Sequence, residues 1–205
     1  MRERDHSGKK TKPLIVFAGR SNVGKSSTIR ALTGIKVKVG KRPGSTRWEQ
    51  FIDLGSVDLV DIPGFGYMSG QSKTAIEETK TMIVQKLERW SGRIVVSVLI
   101  IDISLFQELV IRWEERGEIP IDIEFYSFLS EISQNVIVVA NKIDKLKARE
   151  VEEAQRYLEF KLMEAEPDKE PVIIRVSATK RKGVRELANM IESKLSDLGY
   201  DKPSW

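Results

Sequence analysis

Four short clusters of residues could do chemistry, and the clearest is Gly19-Arg20-Ser21-Asn22-Val23-Gly24-Lys25-Ser26. It matches G-x-x-x-x-G-K-[ST]. The glycines let such a loop wrap with its N–H groups turned inward, and a following helix adds positive potential at its N-terminus. That arrangement suits a polyphosphate, with Lys25 reaching the β- and γ-phosphates and the Ser26 hydroxyl ligating Mg²⁺. Asp61-Ile62-Pro63-Gly64 follows 36 residues after Lys25 and reads D-x-x-G. Its Asp61 can hold the Mg²⁺ shell through water, and the Gly64 N–H can meet a γ-phosphate. Asn141-Lys142-Ile143-Asp144 reads N-K-x-D. A carboxylate at Asp144 can accept from both N1–H and the N2 amino group of guanine, a donor pair that adenine lacks. The Lys142 stem can lie along the base plane, while Asn141 braces the neighbouring loops. In Ser177-Ala178-Thr179, the Ala178 N–H is placed to meet guanine O6.

The elements that must position these clusters alternate short β-branched runs with amphipathic stretches, the pattern of an α/β fold. Pro13–Ala18 is a strand candidate that feeds the glycine-rich loop. A short helix runs on to Thr33, and Gly34 closes it. Gln50–Leu54 and Val57–Ile62 flank a Gly55-Ser56 turn as a hairpin. Ser72–Trp90 reads as a helix with Ile76, Ile83, Leu87 and Trp90 on one face. Ile94–Ile103 is apolar at nearly every position, as a central strand covered on both sides must be. Residues 104–133 read as mostly helical, broken near Gly117–Pro120. Asn135–Ala140 and Val172–Val176 are further strands, and Glu150–Glu166 and Val184–Leu195 are helices. The expectation is one mostly parallel six-stranded sheet with helices on both faces, spanning 1–205 as a single domain with a polar extension at 1–12.

Composition narrows the chemistry. The chain has 205 residues, no cysteine and only His6 as histidine, which excludes disulfides, iron–sulfur clusters and Cys-type zinc sites. A Ser-His-Asp triad is disfavoured for the same reason. The longest apolar run, Ile94–Ile103, is far short of the roughly 20 residues of a membrane span. The N-terminus has no signal-peptide core. A cytoplasmic monomer without membrane attachment is therefore expected. Charge is unevenly spread: residues 1–50 carry a net +10 and residues 51–205 a net −6. The basic first quarter points to an anionic partner.

The ordered set Gly19–Ser26, Thr46, Asp61–Gly64, Asn141–Asp144 and Ser177–Thr179 resembles the small GTPases related to translation factors. It is most similar to the EngB (YihA) family, on the strings G-R-S-N-V-G-K-S-S ending at Ser27, Pro43-Gly44-x-Thr46, and Asp61-x-Pro63-Gly64-Phe65-Gly66-Tyr67. The resemblance covers nearly the whole chain. It implies a Ras-like G domain that binds GTP and GDP with Mg²⁺ and serves in large ribosomal subunit assembly. Bacterial members are also tied to cell division and septation. It assigns Thr46 as the switch I ligand of Mg²⁺ and Pro43 and Gly44 to the same nucleotide-facing loop. Asn141 stands where the bacterial pattern has Thr, and the stretch from Asp102 to Asn141 is longer, with extra material around Leu105–Ile119. Both point to an archaeal-type member.

One catalytic group is absent. Ras-like enzymes orient the attacking water with a Gln, and Phe65 stands after D-x-x-G here. Slow intrinsic hydrolysis is expected, organised by Lys25, Asn22, Thr46 and Gly64. Two readings of Asn22 stay open. It resembles the K⁺-coordinating Asn of MnmE and FeoB, where K⁺ would stabilise charge as an arginine finger does, or it only caps its own loop. Lys36, Lys38, Lys41, Arg42 and Arg47 surround Pro43–Thr46 with no acid between, which suits a nucleotide-gated patch for ribosomal RNA beside Trp48. Lys180-Arg181-Lys182 either extends that patch or is simply exposed. A nucleotide kinase, a septin-like structural protein and a sensor that hydrolyses nothing are the alternatives. N-K-x-D argues against the first, the absence of a polymerising or anchoring segment against the second, and Phe65 keeps the third open.

Overall fold

The computed structural model describes residues 12–36, 49–65 and 73–205. Six strands form one sheet in the order β2-β3-β1-β4-β5-β6: β1 Leu14–Gly19, β2 Gln50–Asp53, β3 Asp58–Asp61, β4 Ile94–Asp102, β5 Val136–Asn141 and β6 Val172–Val176. Only β2 runs antiparallel, paired with β3 across the hairpin turn at Gly55-Ser56. All the other pairings are parallel. The fold is the Ras-like α/β architecture expected from the sequence.

Alternation along the buried strands builds two cores. Leu14, Val16 and Ala18 of β1 face one layer, while Ile15 and Phe17 face the other. The first layer is covered by α2 Lys73–Trp90, α3 Phe106–Glu114, α4 Ile121–Ile132 and α5 Ala148–Ala165, through Ile83, Leu87, Phe106, Val110, Phe125, Leu129, Leu158 and Leu162. The second is covered by α1 Lys25–Thr33 and α6 Val184–Asp197, through Ile29, Leu32, Leu187, Ile191 and Leu195. Every residue of β4 is buried, which is why its sequence is an unbroken apolar run.

The elements differ from the sequence reading in small ways with local causes. β1 extends to Gly19 because Gly19 still pairs with Ile100. Helix α5 begins at Ala148 rather than Glu150, since the Glu150 carboxylate accepts from the Lys147 N–H and caps the first turn. The helical stretch after Asp102 divides into α3 and α4, with Pro120 opening the second. At the far end of the sheet the C-terminal residues strap the β2–β3 hairpin to α6: the Ser204 N–H donates to Leu54 O at 2.9 Å, and Trp205 Nε1 to Glu192 at 2.9 Å.

Candidate functional site at the carboxyl edge of the sheet

In an open parallel sheet, ligands sit beyond the carboxyl ends of the strands where the connections diverge. Connections leave β1 through α1 on one face, and β3 reaches β4 through α2 on the other. Gly19, Asp61, Asp102, Asn141 and Val176 end β1, β3, β4, β5 and β6 at that edge, so Gly19–Ser26, Asp61–Gly64, Asn141–Asp144 and Ser177–Thr179 are gathered along one rim.

The β5 and β6 side of the rim is densely tied. The Asn141 amide, buried, donates to Val23 O at 2.8 Å and accepts from the Ala178 N–H at 3.2 Å, so one side chain binds the β1–α1 loop to the loop after β6. Gly24, with φ of 98°, is needed there, because a Cβ on it would lie 2.3 Å from Asn141 Nδ2. Lys142, itself at φ 67°, crosses to the P-loop: its ammonium donates to Asn22 O at 2.5 Å and pairs with Asp102 at 2.6 Å. Asp102 also accepts from the Ser104 hydroxyl at 2.6 Å. The Ser177 hydroxyl donates to Asp144 Oδ1, and this bond holds the exposed Asp144 carboxyl below the usual carboxylate range. Thr179 Oγ1 lies 3.3 Å from the same hydroxyl. The one departure from expectation is Ala178, whose N–H is already given to Asn141, so a base oxygen there would share a three-centre bond.

The β1 and β3 side is built differently. Lys25, 9% exposed, and Asp61, 8% exposed, form a buried ion pair between α1 and the end of β3. Burial pushes the Asp61 carboxyl up against the pull of Lys25. Gly64 lies so close to the P-loop that a Cβ on it would be 2.9 Å from the Ser21 N and Oγ atoms. Phe65, 1% exposed, stacks on Phe125 of α4 at 3.9 Å. Asn22 is exposed at φ 66°, and Arg20 turns from the rim toward Asp122 of α4. Ser26 and Ser27 open α1, half-buried and exposed respectively.

The donors suit a hard divalent cation. The Ser26 hydroxyl and a desolvated Asp61 carboxylate are oxygen ligands of the kind Mg²⁺ takes, completed by phosphate oxygens and water. Among the described residues no group of three or more His, Cys, Asp or Glu could hold a metal by itself. Pro43, Gly44 and Thr46 lie outside the described residues, as do Lys38, Lys41, Arg42, Arg47, Trp48, Gly66 and Tyr67. Lys36, Lys180, Arg181 and Lys182 are all exposed, and Arg181 donates to Ala31 O at the end of α1. Sequence reasoning passed over Asp102, Asp122 and Phe125. An acid ending an apolar strand was the available signal for Asp102; the two α4 residues carry none in their local sequence.

Comparison with known proteins agrees with this geometry. Residues 14–142 match the family described as 50S ribosome-binding GTPase. A probable GTP-binding protein EngB of Pyrococcus horikoshii is 45% identical over 179 residues, covering 86% of this chain and 81% of that protein. Another, from Methanopyrus kandleri, is 42% identical over 193 residues, covering 92% and 95%. A crystal structure of a probable GTP-binding protein EngB superposes with a TM-score of 0.79 at 42% identity, over 90% of this chain and 99% of the other. With the P-loop, D-x-x-G and N-K-x-D clusters gathered on one rim, these matches make the chain a member of the EngB family of P-loop GTPases.

Proposed function

We propose that this protein is a GTP-dependent switch with slow intrinsic hydrolysis that acts on the assembling large ribosomal subunit. The observation that carries the guanine assignment is the Asp144 carboxylate, exposed yet oriented by Ser177 beside a P-loop tied to the same loops by Asn141. Each carboxylate oxygen has two acceptor positions, so the Ser177 bond leaves room for both guanine donors. The backbone of Gly19, Arg20, Ser21, Asn22, Val23 and Gly24, with Lys25, Ser26 and Ser27, holds the phosphates in this reading. Lys142 lines the base, and Ala178 and Thr179 close its far side. Ser26, Thr46 and, through water, Asp61 hold Mg²⁺, which neutralises charge on the β- and γ-phosphates. Pro43 and Gly44 belong to the same switch as Thr46. Fluorescent GDP should bind orders of magnitude more tightly than fluorescent ADP; equal affinities would refute the assignment.

Slow hydrolysis follows from Phe65, which is stacked in the core and offers no group to a water. The chemistry then falls to Lys25, Thr46 and Gly64 with either a K⁺ ion at Asn22 or a group supplied in trans. Single-turnover hydrolysis in KCl and NaCl at equal ionic strength separates the two, since identical rates exclude K⁺. The same burial of Phe65 favours a second reading, a guanine-nucleotide sensor with negligible turnover, and the same assay measures it directly. The ribosomal partner is supported by the +10 charge of residues 1–50 and by the family's description as ribosome-binding. Binding to large-subunit particles should weaken steeply with salt, and a flat salt dependence would remove the RNA contact. The expected setting is a cytoplasmic monomer of one domain; among the described residues no helix is long and apolar enough to cross a membrane.

A further inference from the structure

The Asp61–Phe65 segment meets the P-loop through the bridge between Arg20 and Phe65. Its backbone bonds are long: the Ser21 N–H donates to Phe65 O at 3.3 Å and the Phe65 N–H to Gly19 O at 3.4 Å. Both bridged residues send their side chains to one helix. Phe65 stacks on Phe125, and Arg20 Nη1 stands 3.7 Å from Asp122 Oδ2. Asp122 and Phe125 are one helical turn apart on α4 and share a face. Between them Glu124 takes Lys80 of α2 in a 2.7 Å ion pair. The first turns of α4 thus touch the P-loop, the residue after D-x-x-G and the helix that follows it.

The Arg20–Asp122 contact is only half made. Arg20 Nε and Asp122 Oδ1 are both buried without a hydrogen-bond partner among the described residues. Buried polar atoms left unsatisfied are rare, and a fork-on-carboxylate pairing would satisfy both atoms at once. A second, tighter arrangement is therefore open to this pair, while Phe65 and the adjoining Gly64 are held against α4 by stacking.

We propose that α4 sets the position of Gly64 against the P-loop, with Asp122 acting through Arg20 and Phe125 through Phe65 as positioning residues for the γ-phosphate contact. The proposal rests on the reading of Gly64 as that contact. A γ-phosphate is present in GTP and absent from GDP, so a positioning role acts on one nucleotide only. A merely structural role acts on both.

The test is the affinity of the full chain for fluorescent GDP and for a non-hydrolysable fluorescent GTP analogue, in the unaltered protein and in Asp122→Asn. The isosteric substitution should weaken the GTP analogue about tenfold while leaving GDP within about twofold. Phe125→Leu keeps the core apolar and should shift the ratio in the same direction; it carries the comparison if Asp122→Asn does not fold. Equal losses for both nucleotides, or no loss for either, overturn the proposal. An unaltered protein that binds GDP but does not distinguish the GTP analogue from it overturns the Gly64 reading and the proposal together.

Discussion

The two sides of the rim are held by different means. On the β5 and β6 side, Asn141, Lys142 and Ser177 tie three loops together through side-chain bonds at full hydrogen-bonding length. On the β1 and β3 side the Arg20–Phe65 bridge has backbone bonds of 3.3 and 3.4 Å, a 3.7 Å ion pair and two unsatisfied buried atoms. A braced site presents its donors and acceptors without reorganisation, so selectivity among bases is greatest where the bracing is. A loosely closed segment can adopt two arrangements at small cost, which is what a switch requires. Base reading and state reading are thus placed on opposite halves of one rim.

The largest expected effect lies on the braced half. Asp144→Asn exchanges an acceptor for an amide at the point where guanine presents two donors. Losing two charge-assisted hydrogen bonds amounts to about 4 kcal/mol, or about a thousandfold in affinity for GDP and GTP alike. Competition binding with guanine and adenine nucleotides measures it, and a variant that still prefers guanine would break the division of labour. Asn141→Ala should follow. It removes both buried bonds between the P-loop and the β6 loop and leaves Val23 O and the Ala178 N–H unpaired, at about 2 kcal/mol of stability in urea unfolding. Both nucleotides should weaken equally, in contrast to the selective loss expected from α4.

The same contrast decides what could be read from the sequence. The phosphate and base clusters are contiguous strings, each opening or closing a strand, so their residues and their rim position were legible before the fold was described. The six strands followed from β-branched runs, and the all-apolar β4 announced its burial. The bracing was legible in part. Asn141 was expected to tie loops, but the engagement of the Ala178 N–H depends on side-chain packing between β5 and β6. The α4 contacts were not legible. Asp122 and Arg20 are about a hundred residues apart, and Ile121–Ile132 shows only an apolar helix pattern. Nothing local distinguishes an aspartate in a first helical turn, where acids are favoured at the surface, from one that turns inward to an arginine.

The smallest effect tests whether Asp122 is held as charge in that interior. Burial pushes its carboxyl up to about 6, while Arg20 pulls it down and the Asp102 carboxylate beyond pushes it up. Asp102 is itself paired with Lys142 and, at 4.0 Å, with Lys145, and Glu124 of the same helix is neutralised by Lys80. Because the folded-state value lies above that of the unfolded chain, the folded protein binds the proton more readily. The ionised group therefore opposes folding at neutral pH, and that opposition is relieved as pH falls through about 6 toward 4. Measured by urea unfolding between about pH 7.5 and 5, the stability of the unaltered protein relative to Asp122→Asn should rise by about 1 kcal/mol on acidification. A difference that stays constant across the window would mean that Asp122 keeps the ordinary affinity of a carboxylate for its proton. In that case the loosely closed half of the rim stores no charge beneath it, and the contrast with the braced half rests on bond lengths alone.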